Sequence, residues 1–75
     1  MKIPFAMERL EKKLARTLRR LRGDTTQRDF AKKLGIDHGS LNRIEQAKQN
    51  VTIKTLHKLC ERLKCNIADL FDDAL

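Results

Sequence analysis

The sequence contains no tryptophan and no tyrosine, and only three phenylalanines among its 75 residues. A core built on aromatic rings is excluded, so the core must be aliphatic, made of Leu, Ile, Val and Ala. No apolar run approaches the roughly 18 residues of a membrane span, and the opening MKIPFAMERLEKK lacks the apolar segment of a secretory signal. The chain is therefore expected to be cytoplasmic, with no membrane partner. Two cysteines, Cys60 and Cys65, are too few for a disulfide framework, and an intracellular chain keeps them reduced. With His57 they would give a metal only three ligands, at a spacing foreign to zinc fingers, so no metal and no cofactor is expected. Repeats, low-complexity tracts and long linkers are also missing. Residues 1–75 read as one small domain, near the lower limit for a self-sufficient core, and such domains often gain burial by dimerising.

What is present is charge, unevenly placed. Seventeen Lys and Arg against ten Asp and Glu give +7. Residues 1–22 carry +6 of that, residues 23–50 carry +1 and residues 51–75 are neutral. A solvated amphipathic face would account for the first block. A surplus of this size in so short a chain also attracts polyanions, because phosphate contacts supply much of the affinity of nucleic-acid-binding proteins. The acidic end, Asp69 to Asp73, is expected to face away from such a partner.

Five helical segments can be read, and nothing alternates like a strand, so the fold class is all-α. The first runs from about Ala6 to Arg22, behind Pro4, with Leu10, Leu14, Leu18 and Leu21 as its apolar stripe and Gly23-Asp24 as its stop. Ile3 and Phe5 before it would cover the core or a partner. The second starts at Thr26, which has capping-box spacing to Asp29; Phe30, Ala31 and Leu34 face inward and Gly35 ends it. The third is capped by Asp37 and turns Leu41 and Ile44 inward. A polar loop, Gln46 to Val51, follows. The fourth is capped by Thr52, with Ile53, Leu56, Leu59, Cys60 and Leu63 as its stripe, and with His57 at the stripe's border as a partly buried structural residue. The last covers Ile67 to Phe71. Between these two a turn is needed with no glycine to make it, and Asn66 is the least strained candidate among Lys64, Cys65 and Asn66.

The second and third segments, QRDFAKKLGIDHGSLNRIEQ over residues 27–46, satisfy the steric demands of a helix-turn-helix. The helices cross closest at the fifth position, which must be small and is Ala31. The turn needs glycine at the ninth, which is Gly35. Apolar residues are required at the fourth, eighth, tenth, fifteenth and eighteenth, and these are Phe30, Leu34, Ile36, Leu41 and Ile44. An ordinary αα-hairpin shares the periodicity but has no reason to place Ala and Gly at these offsets. The outward residues of the third helix then become candidates to meet base edges in a DNA major groove.

At TQRDFAKKLGIDHGSLNRIEQAKQNVTIKTLHKLCERLKCNIADLF the chain resembles the helix-turn-helix of phage Cro and repressor proteins, the xenobiotic-response-element group, over about residues 16–72. The resemblance implies a compact five-helix DNA-binding domain that works as a homodimer in transcription regulation. A narrower resemblance, carried by QNVTIKTL, is to controller proteins of restriction–modification systems, which are small free-standing dimers.

Residue roles follow from the resemblance position by position. His38 and Gly39 occupy the first turn of the recognition helix, where base edges are met; Gly39 has no side chain, so that reading position is empty. His38, Asn42 and Arg43 are the candidate base readers, since Arg pairs with guanine and Asn with adenine; Arg43 also reads as a phosphate contact or a solvated charge. Gln27, Ser40, Lys48, Gln49 and Asn50 are candidate phosphate contacts. Arg20 and Glu45 occupy the positions of a family ion pair that orients the recognition helix and offers the Arg to a phosphate. Ile67, Leu70 and Phe71 are candidates for a dimer interface, with plain core closure as their other reading.

The function so implied is a sequence-specific transcriptional regulator, a homodimer on a near-palindromic operator. Its competitor is an antitoxin, a protein-interaction module whose partner is a toxin and whose DNA binding is secondary. Activation, as opposed to repression, would require a surface for RNA polymerase. An enzyme is not expected: His38 and His57 fall on different helices, and no nucleophile, paired carboxylate site or phosphate-binding loop stands near either.

Overall fold

The computed structural model describes residues 9–48 and 50–71. Five helices follow one another: α1 (Leu10–Arg22), α2 (Gln27–Leu34), α3 (His38–Glu45), α4 (Ile53–Leu63) and α5 (Ile67–Phe71). No strand occurs among the described residues. The first helix begins at Leu10 with Arg9 extended, later than the Ala6 expected from periodicity. Ile3, Phe5 and Gln49 lie outside the described residues.

Each internal start is fixed by a side chain. Thr26 Oγ1 accepts the Asp29 amide, Asp37 Oδ2 the Ser40 amide and Thr52 Oγ1 the Thr55 amide, at 3.1, 3.0 and 3.1 Å. These are the three caps expected from sequence. Each satisfies an amide that the first turn of a helix leaves without a partner.

The ends share one device. After α2, α3 and α4 the chain turns through a left-handed residue, and the next amide reaches back five residues: Ile36 to Ala31, Lys48 to Arg43 and Cys65 to Cys60, at 3.1, 3.0 and 3.0 Å. This is the Schellman arrangement. Only the first uses glycine, with Gly35 at φ 74°; Ala47 and Lys64 adopt φ 58° and 55°. The turn after α4 thus falls on Lys64 and not on Asn66. Asn66 is needed one step later, where its amide donates to Asp69 Oδ2 at 3.0 Å and its carbonyl accepts from the Asp69 amide at 3.0 Å, opening α5.

The core gathers Leu14 and Leu18 of α1, Phe30, Ala31 and Leu34 of α2, Leu41 and Ile44 of α3, Leu59 of α4 and Leu70 of α5. Each large aliphatic side chain buried this way contributes about 1.5–3 kcal/mol. Helix α1 packs on α3 and α5, α2 on α3 and α4, and α4 on α5. The inward set expected of the second and third helices is therefore realised, with Ile36 half-buried against the core.

Other stripe residues do not go where periodicity put them. In α1 the buried face is Leu14, Ala15, Thr17 and Leu18, while Leu10 and Leu21 are exposed. In α4 only Leu59 is fully buried, and Ile53 is 81% exposed. His57 is exposed and lies 3.6 Å from Glu61 one turn on, so it is not the partly buried residue expected. Leu70 was a candidate dimer contact, but it is fully buried inside this chain, because the short α5 needs an anchor between α1 and α4. Phe71 is half-buried against the core, and only Ile67 of that trio is exposed. The Cys65 thiol is pushed up, first by burial and then by the adjacent Cys60 thiol.

Candidate nucleic-acid interface

The two ends of α3 are pinned before any ligand arrives. At its start, the Asp37 carboxylate accepts the Ser40 amide on one oxygen and the Ser40 hydroxyl on the other, at 3.0 and 2.8 Å. The Ser40 hydroxyl, then the Ser40 amide, hold the Asp37 carboxyl below its ordinary value, and Arg43 adds a smaller push in the same direction. Ser40, expected as a phosphate contact, thus gives its hydroxyl proton to the cap.

At the other end, Glu45 is buried, with only 3% of its surface exposed. Arg22 donates to both carboxylate oxygens, Nε to Oε2 at 2.9 Å and Nη2 to Oε1 at 3.0 Å. Gln27 Nε2 adds a third donor to Oε1 at 2.9 Å. Arg19 donates to the Glu45 backbone carbonyl, satisfying an acceptor that the end of α3 leaves open. Two cations at this end also complement the helix dipole.

The arginine of this pair is Arg22, not the Arg20 expected from the family position. The reason is helical phase. Two residues turn an α-helix by about 200°, so Arg20 and Arg22 leave α1 on opposite sides. Arg22 stands one turn beyond buried Leu18 and continues the inward face; Arg20 is exposed. Sequence reasoning missed Arg19 and Arg22, although their spacing from Leu14, Ala15 and Leu18 carried the signal.

The outward ridge of α3 consists of His38, Asn42 and Gln46, one turn apart, beside Gly39 and Arg43; all five are exposed. The three base-reading candidates, His38, Asn42 and Arg43, therefore share one face. Their neighbours are ordered. Gln46 Nε2 donates to Asn42 Oδ1 at 2.8 Å, and His38 Nε2 lies 3.3 Å from Gln27 Oε1. Gln46 is a third residue absent from the candidate contacts, and its position four after Asn42 was the signal.

The gap at Gly39 is not open space. A Cβ built there would stand 3.3 Å from Asp37 Oδ2 and 3.5 Å from Arg43 Nη1. The missing side chain lets the cap and the Arg43 guanidinium converge above the first turn of α3.

Gln27 is half-buried, and both ends of its amide are engaged inside the chain, with Glu45 and with His38. Lys48 and Asn50 are exposed in the loop after α3, and the Lys48 amide is tied to the Arg43 carbonyl. The backbone of the loop's one cation, Lys48, thereby keeps a fixed relation to the outward ridge of α3.

Among the described residues there is no group of three or more His, Cys, Asp or Glu able to hold a metal, and no helix is long and apolar enough to cross a membrane.

A helix-turn-helix family profile matches residues 16–70. The crystal structure of a hypothetical transcription factor from Neisseria, NHTF, aligns with 95% of this chain and 87% of its own at a TM-score of 0.74 and 20% identity. That likeness is one of fold. No curated protein matches the chain.

Proposed function

Since this chain belongs to the Cro- and repressor-like helix-turn-helix family of DNA-binding regulators, we propose that it is a sequence-specific transcriptional regulator that binds as a homodimer with α3 in the major groove. The observation that carries this reading is the outward ridge of α3 on a helix clamped at both ends. A reading helix must hold its side chains in register with base edges; the Asp37 cap fixes the start of α3, and Glu45, bonded to Arg22 and Gln27, ties its end to α1 and α2. The chain's surplus of +7 supplies the attraction to phosphates.

On this reading Arg43 pairs with guanine, with Asn42 and His38 beside it, and Lys48, Gln49 and Asn50 hold the backbone. Arg20, exposed near the end of the basic first helix, contacts phosphate.

A dimer is supported by a largely apolar groove between α4 and α5, lined by Ile53, Leu56, Cys60, Cys65 and Ile67 together with His57 and Asn66. None of these belongs to α3, so pairing there leaves the reading ridge uncovered. Two recognition helices about 34 Å apart would then meet successive turns of one face of the duplex.

Selection of bound sequences from random duplex DNA tests the proposal. A two-fold-symmetric consensus is the expected result. Enrichment of a single unpaired half-site would remove the dimer, and no enrichment at moderate salt would remove sequence-specific regulation.

A further inference from the structure

The hydrogen-bond chain from Arg22 to His38 fixes the chemistry that the His38 ring presents. Glu45, paired with Arg22, is a carboxylate and only accepts. The Gln27 group 2.9 Å from it must therefore be the amide nitrogen, since a flipped amide would set oxygen against oxygen. That leaves Gln27 Oε1 as the atom 3.3 Å from His38 Nε2. Oε1 also only accepts, so Nε2 must carry the proton. In the neutral ring the other nitrogen, Nδ1, is then bare and is an acceptor. Among the described residues, Gln27 is the only partner of the His38 ring.

We infer that His38, when it meets a base edge, reads an amino group, adenine N6 or cytosine N4, through Nδ1, and that Gln27 is the positioning residue that enforces this. These two amino groups are the donors of the major groove; N7, guanine O6 and thymine O4 are acceptors and have nothing to offer a bare nitrogen. The choice is made by a carboxylate one helix end away: Glu45 orients Gln27, and Gln27 orients His38. The inference rests on the proposal that α3 reads the major groove.

Every base pair carries one amino donor, so a consensus alone does not identify the atom. Base analogues do. On the selected operator, at pH 8 where an ordinary imidazole is neutral, the base pair that His38→Ala relaxes is rebuilt with its amino group replaced by hydrogen: purine for adenine, or pyrimidin-2-one for cytosine. The N7 atom of the same pair is removed separately with a 7-deazapurine. Loss of the amino group is expected to weaken wild-type binding about three- to tenfold, the range of a single hydrogen bond, and to leave His38→Ala unaffected. The 7-deaza change is expected to weaken both proteins equally. Coupling of His38 to N7, or to neither atom, overturns the inference.

Gln27→Ala should keep the same consensus base but halve or further reduce the amino-group effect, since the ring loses its brace. An undiminished effect would show that Gln27 does not position it. A measurement without DNA separates this inference from the reading of function: nitrogen NMR of the free protein at pH 8 should show His38 protonated at Nε2. Protonation at Nδ1 would overturn the inference while leaving sequence-specific binding intact. Absence of any selected sequence would overturn the functional reading instead, whatever the tautomer.

Discussion

Arg22 of α1 and Glu45 of α3 face each other through two parallel hydrogen bonds of 2.9 and 3.0 Å, and their burial is unequal. The Glu45 side chain is 3% exposed and that of Arg22 is 23% exposed. Removing either partner strands the other, but not at the same cost. Arg22→Ala leaves a buried carboxylate with Gln27 as its side-chain donor, and should destabilise the fold by about 3–5 kcal/mol. Glu45→Ala leaves a guanidinium that can turn to water and should cost less, about 2 kcal/mol, the range of hydrogen bonds to a charged group. Arg20→Ala, at an exposed position, should cost about 1 kcal/mol or less. Urea melts of the three variants check the order, and an Arg20→Ala loss as large as that of Arg22→Ala would return the ion pair to the position first expected.

That comparison also shows what the sequence could and could not express. The three caps, the small Ala31 and the turn at Gly35 depend on one or two residues each, so local chemistry names them. The partner of Glu45 depends on the phase of α1. Its leucine repeat suggests a stripe through Leu10 and Leu21, and the structure rotates the buried face onto Leu14, Ala15, Thr17 and Leu18. That rotation brings Arg22 inward and turns Arg20 outward. Ile53 is a similar case: periodicity assigns it to the inner stripe, yet at the first position of α4 it lies beyond the core and joins the groove with Ile67. The spacing of Arg22 from Leu18 carried a local signal, whereas the exposure of Ile53 is set by where a neighbouring helix ends, which no local pattern encodes.

The left-handed turns at Ala47 and Lys64 hold side chains where glycine would be unstrained. An L-residue there costs about 1–2 kcal/mol, part of which glycine gives back through its freer unfolded chain. Ala47→Gly and Lys64→Gly should each raise stability by about 0.5–1 kcal/mol. Gly35→Ala should do the reverse, since its Cβ would also stand 3.0 Å from the Arg62 guanidinium. Thermal unfolding measures all three, and a destabilised Lys64→Gly would show that the turn is not left-handed.

Asp37 should titrate below the ordinary carboxylate value in the folded protein, because the Ser40 hydroxyl and amide favour its charged form. An acid depressed by folding adds stability at pH values above its unfolded value and loses that contribution as the pH falls through the folded one. The cap of α3 should therefore be intact at neutral pH and weaken only in strong acid. Ser40→Ala removes the largest cause and should move the Asp37 midpoint back upward. Carboxyl NMR titrations of both proteins decide it; an unmoved midpoint would assign the depression elsewhere.

The groove between α4 and α5 separates assembly from folding. Ile53→Asp changes a residue that is 81% exposed and should leave the stability of the monomer, melted at concentrations too low for pairing, within about 0.5 kcal/mol of wild type. If this face joins two copies, the same variant should sediment as a monomer and lose cooperative binding to a two-fold-symmetric operator. Leu70→Ala gives the contrast: it empties a fully buried site and should cost about 2–5 kcal/mol before any effect on assembly is read. A dimeric Ile53→Asp would move the interface off this groove.

Arg43 distinguishes base reading from phosphate holding on a single side chain. Its guanidinium stands over Gly39, with Nη1 3.5 Å from where a Cβ would be, on the same face as His38 and Asn42. A guanidinium paired with guanine donates two hydrogen bonds to O6 and N7, worth about 1–3 kcal/mol of discrimination. Arg43→Ala should then accept any base at one position of each half-site while binding other sequences almost as before. If the guanidinium holds phosphate instead, the same variant should weaken binding equally on all sequences and lower the salt slope by about one. Selection with the variant, followed by a salt titration on one duplex, separates the two. A uniform loss with the reduced slope would remove Arg43 from the readers and leave His38 and Asn42 to carry specificity.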